Sequence, residues 1–320
     1  MTGPTGEIGL SAVTALEREP AVDAIIGMAR RPFDPPSHGW LKTSYQRGDI
    51  LDREAVDALV AQADVVIHLA FMIMGSRDES ARVNLEGSRN VFEATVAAER
   101  PRRLVYTSSV AAYGYHSDNP NPLTEDVPAR GSAEHYYSAQ NAASEALLAE
   151  ITEGSPLEVF VLRPCIVAGP EATALADAMP WNQLPGPMRA VVKAVPALKP
   201  VVPDPGFPLQ LVHHDDVATA IALAATAPAP PGVYNIAGDG VVTVADVARA
   251  LGGRPVRVPA VAATAASAAI SRVPLVPSML EWLHTARTSM VMDTTKAKTQ
   301  LGWRPLHSSV ETLEALAEGV

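Results

Sequence analysis

Short apolar runs rich in Val and Ile alternate with helically spaced apolar residues through the first half of the chain. "AVDAIIGMA" (21–29), "ADVVIHLA" (63–70), "RRLVYTSS" (102–109) and "LEVFVLRP" (157–164) have the pattern of strands buried on both faces. Between them, "REAVDALVAQ", "VNLEGSRNVFEATVAAE" and "YSAQNAASEALLAEI" repeat apolar residues at helical spacing, so each predicts a helix with one face on a core. The alternation predicts an α/β chain, a parallel sheet covered on both sides. From 171 to 207 the texture changes. Pro170, Pro180, Pro185, Pro187, Pro196, Pro200, Pro203, Pro205 and Pro208 predict an irregular insertion instead of another strand–helix unit. "LQLVHHDDVATAIALAA" (209–225) resumes core patterning. "GVYNIAGDGVVTVADVARAL" predicts strand, turn and a helix capped by Thr243, with Asp246 three residues on.

Composition narrows the function classes. With 320 residues, 48% of them hydrophobic, and a mean hydropathy of +0.10, the chain can fold as one large elaborated domain or as two. Its net charge is −10, with 35 acidic against 25 basic residues and no Lys/Arg cluster, which argues against a nucleic-acid partner. A single cysteine, Cys165, precludes an intramolecular disulfide and fits a reducing compartment. The Ala-rich stretch 259–277 is too short an apolar run to cross a bilayer, so no membrane association is expected, and it reads as a closely packed small-residue helix. The chain enters a glycine-rich turn without a signal peptide, which predicts a soluble cytoplasmic protein.

That turn, "TGPTGEIG", places Gly3, Gly6 and Gly9 ahead of the helical run "LSAVTALER". Such spacing gives a tight turn, close backbone approach to a pyrophosphate and a helix N-terminus facing the phosphates. Gly3, Thr5, Gly6, Glu7 and Ile8 are therefore expected to meet a dinucleotide. A strand of five or six apolar residues should precede the motif, yet only Met1 stands before Thr2. The expectation is a natural chain that begins several residues earlier, because a missing central strand leaves its neighbours' peptide groups unpaired. After the second strand comes "MARRP". Arg30 in place of an acid can pair with a 2′-phosphate, which favours NADP, with NAD the alternative. "GDILD" offers Asp49 to the adenine amino group, with Ile50 beside it.

Together these pieces resemble the extended short-chain dehydrogenase/reductases, the NAD-dependent epimerase/dehydratase family. Ordered matches run from "TGPTGEIG" through "VVIHLA", "NLEGSRNVFEAT", "VYTSSVAAYG", "YYSAQNAASEALL", "LRPCIVAGP" and "VHHDDVATA" to "TTKAKTQLGWRP". The resemblance implies a Rossmann domain over 1–170 and 208–238, and a smaller substrate-binding domain over 171–207 and 239–320. It implies that Leu69, Ala70 and Phe71 line the cofactor, that Thr107 and Pro164 border it with Cys165 nearby, and that Asn84 organises the site. Ser109 matches the serine that hydrogen-bonds the reacting oxygen, and Tyr137 the catalytic acid/base. It also makes Asp216 a helix cap. No metal is expected at "VHHDD", because neighbours on an extended segment point opposite ways. A monomer or a homodimer joined through the "NLEGSRNVFEAT" helix fits the family.

Four residues after Tyr137, where the family has a lysine, stands Asn141. The two share a helix face. Asn141 can keep a ribose hydrogen bond but supplies no charge to favour tyrosinate. Three readings follow: a reductase or dehydrogenase whose tyrosine stays protonated and donates to a carbonyl oxygen, a non-redox isomerase or cyclase, or a catalytically weak NADP-binding regulator. His135 and His116 are alternative proton donors. The substrate is expected to be apolar. Ile166 stands where sugar-nucleotide enzymes of the family have asparagine, and Met72, Ile73, Met74, Met179, Trp181, Leu184 and Met188 offer an apolar lining.

Overall fold

The structure is a computed structural model that describes residues 1–73, 75–177, 179, 181, 185, 199–259 and 288–319. Most of the Ala-rich stretch 259–277, together with Met74, Leu184 and Met188, lies outside the described residues.

Four of the apolar runs and the more polar segment 43–47 are strands of one parallel sheet: β1 (Ile25–Ala29), β2 (Thr43–Arg47), β3 (Val65–His68), β4 (Arg103–Thr107) and β5 (Glu158–Pro164). After the short strand β6 (Ile166–Ala168) come β7 (Val201–Asp204), β8 (Pro208–Leu209), β9 (Leu211–His213) and β10 (Gly232–Ile236), and β10 closes the sheet beside β5. Alternation within the strands explains the two covered faces. Val105, Phe160 and Leu162 point to a core that also holds Ala12, Leu16, Ile221, Tyr234 and Trp303. Leu104, Tyr106 and Val161 point to the other, with Leu59, Val91, Phe92 and Leu148. Helix α1 (Glu7–Arg18) lies on the first face. Helices α2 (Arg53–Val60), α4 (Ser88–Ala97) and α5 (Tyr136–Thr152) cover the second, α4 being reached through α3 (Arg77–Ala81) and a π-helical turn, Arg82–Gly87.

The slot between β1 and β3 is filled by Met1 and Thr2. Thr2 bridges Met28 on one side and His68 on the other. Its N–H donates to the Ile67 carbonyl (2.9 Å) and its own carbonyl accepts from Leu69 (3.3 Å), while Met28 N–H donates to Met1 (2.9 Å). Thr2 Oγ1 also meets His68 Nδ1 at 2.6 Å, and His68 Nε2 meets Ser88 Oγ at 2.9 Å. Two residues thus pair much of what a longer strand was expected to pair.

The described residues of the proline-rich stretch include regular elements. It carries the short helix α6 (Ala174–Asp177) and β7, which pairs in parallel with a strand at Arg254–Arg257. Helix α7 (His214–Thr226) packs along α1, and α8 (Val244–Ala250) begins with the expected capping box of Thr243 and Asp246. The last helix, α9 (Ser309–Glu318), joins Leu175, Trp181, Leu211, Val247 and Leu251 in a third core through Leu313 and Leu316. Trp181 donates its Nε1–H to the Leu251 carbonyl (2.7 Å). Trp181 belongs to this core and Met179 packs against it, which corrects the expectation that Trp181 lines a substrate pocket: a bulky indole with a satisfied N–H is spent on packing. No helix among the described residues is long and apolar enough to cross a membrane.

Candidate active site

The site lies at the carboxyl ends of β3, β4 and β5, where α1 also starts. Gly3 has φ +72°, and a Cβ there would sit 2.9 Å from the Ala70 nitrogen; a Cβ on Gly9 would sit 2.1 Å from the Gly3 oxygen. The turn therefore needs glycine for close backbone packing. Gly6 is the N-cap of α1 and contributes no side-chain cap, so the amides of Glu7 and Ile8 head a helix end suited to an anion. Thr5 and Gly6 are exposed there. The Glu7 side chain turns elsewhere. Burial raises its pKa, the backbone amides of Ala174 and Thr173 act against that, and Asp177 adds to it.

Beyond β1 the Arg30 side chain is exposed. Asp49 Oδ1 accepts from the Leu51 N–H (3.0 Å), and the carbonyl of buried Ile50 accepts from Asn90 (2.9 Å). Leu69, Ala70 and Phe71 leave the end of β3 half-buried. At the end of β4, the buried Thr107 hydroxyl has no hydrogen-bond partner among the described residues. Pro164 and Cys165 are buried at the end of β5. Burial pushes the Cys165 thiol well up, which makes it an inert small hydrophobe.

Ser109 opens a short turn and accepts the Ala111 N–H (3.2 Å). Tyr137, in the first turn of α5, reaches the same place. Burial raises its phenol pKa above the ordinary value, and the side chains of Ser109 and Asn141 act in the opposite sense. The Phe71 ring meets the Tyr137 ring edge-on, with centroids 5.8 Å apart and planes at 87°. Asn141, only 1% exposed, donates its amide N–H to the Tyr137 carbonyl (2.8 Å).

Beneath these groups, Glu145 accepts from Ser108 Oγ (2.5 Å) and forms a two-pronged pair with Arg163 (2.9 and 2.5 Å), whose guanidinium lies 4.4 Å over the Tyr113 ring. The ion pair ties α5 to the ends of β4 and β5. His135 Nδ1 accepts the Ser138 N–H (3.4 Å) as the cap of α5, and His116 Nε2 meets the Gly131 carbonyl at 2.7 Å. Both histidines hold backbone.

Asn84 does more than its motif suggests. Its Oδ1 accepts from the Met72 N–H (2.7 Å), and its Nδ2 donates to the Met72 carbonyl (2.9 Å) and to Gln140 Oε1 (2.8 Å). Gln140 in turn donates to Ser80 (3.1 Å). Gln140 and Tyr136, which donates to the Ile73 carbonyl (3.3 Å), carry no motif of their own. Their proximity to Tyr137 on α5 was the available signal.

At "VHHDD" the opposite pointing of neighbouring side chains and the Asp216 cap need correction. The donor atoms of His213, His214 and Asp215 lie within 4.8 Å of one another, because α7 starts at His214 and ends the strand alternation. Each histidine is engaged: His213 Nδ1 accepts the Asp215 N–H (3.2 Å) as the actual cap, and His214 Nδ1 meets Ser11 Oγ at 2.7 Å. Asp216 is not a cap of its own helix. Its fully buried carboxylate accepts from the amides of Leu306 (2.8 Å) and His307 (3.0 Å).

Comparison with known proteins adds to this geometry. The profile of the "NAD dependent epimerase/dehydratase family" matches residues 1–237. A Streptomyces 3-diazoavenalumate denitrifying reductase is 29% identical, over 97% of this chain and 96% of its own. Human 3 beta-hydroxysteroid dehydrogenase type 7 is 34% identical over 190 residues, 53% of this chain and 50% of its own. Among solved structures, MoeE5 in complex with UDP-glucuronic acid and NAD superimposes with a TM-score of 0.72 at 22% identity, covering 99% of this chain and 97% of that one.

Proposed function

The chain belongs to the NAD dependent epimerase/dehydratase family, and we propose that it is an NAD(P)-dependent oxidoreductase acting on the carbonyl or alcohol of an apolar substrate, with Tyr137 as the proton donor. The observation that carries this reading is the placement of the half-buried Tyr137 phenol beside Ser109 and Asn141 with no lysine four residues on; burial disfavours its anion. Such a phenol is protonated at neutral pH, the form that carbonyl reduction consumes. Tyr137 passes its proton to the carbonyl oxygen while Ser109 donates a hydrogen bond to the same atom. A bound nicotinamide dinucleotide supplies the hydride. The glycine turn fits such a cofactor, since a Cβ at Gly3 or Gly9 would clash with backbone, and the Thr107 hydroxyl, without a partner among the described residues, adds a polar group at the edge it would cross. Gly3, Thr5, Gly6, Glu7 and Ile8 would hold its phosphates, Asp49 and Ile50 its adenine end, and Leu69, Ala70, Phe71, Asn84, Thr107 and Pro164 its middle and far portions. Arg30 supports NADP over NAD.

Residues 1–170 and 208–238 serve the cofactor, and 171–207 with 239–320 the substrate; the core around Trp181 and Leu313 draws mainly on the second set, joined by Ala168 and Leu211, whereas Trp303 packs in the first core. The Streptomyces reductase and the human dehydrogenase favour redox chemistry. Asn141, whose amide is spent on the Tyr137 carbonyl, gives weight to a second reading, a non-redox isomerase using Tyr137 and Ser109 as donors.

Titration with NADPH and NADH, followed by a turnover screen of ketones, tests the proposal. Binding with cofactor-linked turnover that Tyr137→Phe abolishes is expected. Product formation with no change in cofactor absorbance would favour the isomerase. A Tyr137→Phe variant with full activity removes the tyrosine from the mechanism.

A further inference from the structure

The segment that follows β3 is held with unusual completeness for a loop at a sheet's carboxyl edge. Both peptide groups of Met72 are taken by the Asn84 side chain, at 2.7 and 2.9 Å. Asn84 is braced by Gln140 (2.8 Å), and Gln140 by Ser80 (3.1 Å). One residue on, the Ile73 carbonyl accepts from Tyr136 (3.3 Å). Asn84, Gln140 and Ser80 are buried, so loosening any link strands a polar group away from water. What the clamp presents is apolar. Phe71 and Met72 are half-buried, Ile73 is 44% exposed, and none of the three belongs to a core cluster.

From this we infer that Phe71 determines specificity and that the substrate carries a flat, unsaturated ring directly on its reacting carbon. The inference rests on the proposed carbonyl chemistry at Tyr137 and names its substrate class. A carbonyl oxygen that accepts from Tyr137 brings the group on its carbon towards Phe71. The Phe71 and Tyr137 rings stand perpendicular, at 87° and 5.8 Å, and form a corner. A planar π-system can stack on one wall while meeting the other edge-on, both favoured aromatic geometries. A puckered saturated ring is too thick to do both, and the Asn84–Gln140 brace keeps the corner from widening. The Met72 peptide groups and the Ile73 carbonyl already have protein partners, so this wall has little to offer the hydroxyls of a sugar.

Acetophenone and cyclohexyl methyl ketone share their carbon skeleton and differ in flatness, so they make the test. With the cofactor-loaded protein, KM for acetophenone is expected below that for the cyclohexyl ketone. At saturating cofactor, Phe71→Leu is expected to raise the acetophenone KM relative to the cyclohexyl KM roughly 2- to 12-fold, the worth of one aromatic pair, whatever it does to cofactor affinity and kcat, which act on both ketones alike. Equal KM values in the parent protein, or an equal shift of both in Phe71→Leu, overturn the inference. If no nucleotide binds and no ketone turns over, the proposed function fails. Ligand-observed NMR of the two ketones with the unloaded protein then decides about the corner: preferential acetophenone binding lost in Phe71→Leu supports it, and no preference overturns it.

Discussion

Asn141→Lys restores a charge beside the phenol, and its effect can be worked through. The Tyr137 pKa lies above the ordinary phenol value because burial disfavours the anion, so at pH 7 fewer than about one molecule in a thousand carries tyrosinate. An ammonium about 4 Å away at an effective dielectric of 20 contributes roughly 4 kcal/mol. Residue 141 is only 1% exposed, so part of that is lost to desolvating the new charge. A net fall of about one to two pKa units follows. The forward and reverse second-order constants are tied at any pH by the overall equilibrium, so below both pKa values the gain is shared by reduction and oxidation. With a proton about half transferred in the transition state, it amounts to roughly 3- to 10-fold. The diagnostic quantity is the pH profile of kcat/KM, followed through cofactor absorbance in both directions. The parent protein is expected to oxidise alcohol about tenfold faster per pH unit up to pH 10, with flat reduction. In Asn141→Lys both profiles should break about one to two units lower. A plateau in the parent's oxidation profile below about pH 9, or unshifted breaks in the variant, refutes the reasoning.

Three further outcomes are expected. His68 is fully buried and its pKa falls from 6.5 to about 3, chiefly by desolvation. A depressed folded-state pKa gives stability that is complete above pH 6.5 and is lost as pH falls from there towards 3, about 2 kcal/mol of it by pH 5; denaturant titrations should show the gap between the parent and His68→Asn narrowing by that much from pH 8 to pH 5, and a constant gap rules it out. The Arg163–Glu145 pair is 4% and 8% exposed, so Glu145→Gln should cost about 3–5 kcal/mol by leaving a buried guanidinium unpaired, and adding Arg163→Met should recover most of it in the same assay. Arg30→Ala should weaken NADPH binding about tenfold or more, as measured by calorimetry, and leave NADH nearly unaffected; equal losses would point to NAD.

Local signals predicted the parts of the molecule that local physics decides. Period and β-branching marked β1, β3, β4 and β5, and the capping box at Thr243 formed as its spacing requires. Gly3 and Gly9 were legible because only glycine survives such close backbone contact. Side chains whose partners lie far along the chain were not. Met1 and Thr2 looked too short for a strand, yet two neighbours supply their hydrogen bonds from residues 26–28 and 67–69. Trp181 looked available to a ligand until its N–H found Leu251, seventy residues on. The Gln140–Asn84 brace spans 56 positions and joins Asn84, which its motif marked, to Gln140, which carries no pattern of its own.

The Asp216 carboxylate bears on how separable the two ends of the chain are. It rises from a helix packed along α1, yet its oxygens are spent on the peptides of residues 306 and 307, just ahead of α9. Cutting the polypeptide before that point leaves those buried oxygens without their donors. Chimaeras that graft a relative's C-terminal portion here must therefore bring matching N–H groups to this anchor, or neutralise it with Asp216→Asn.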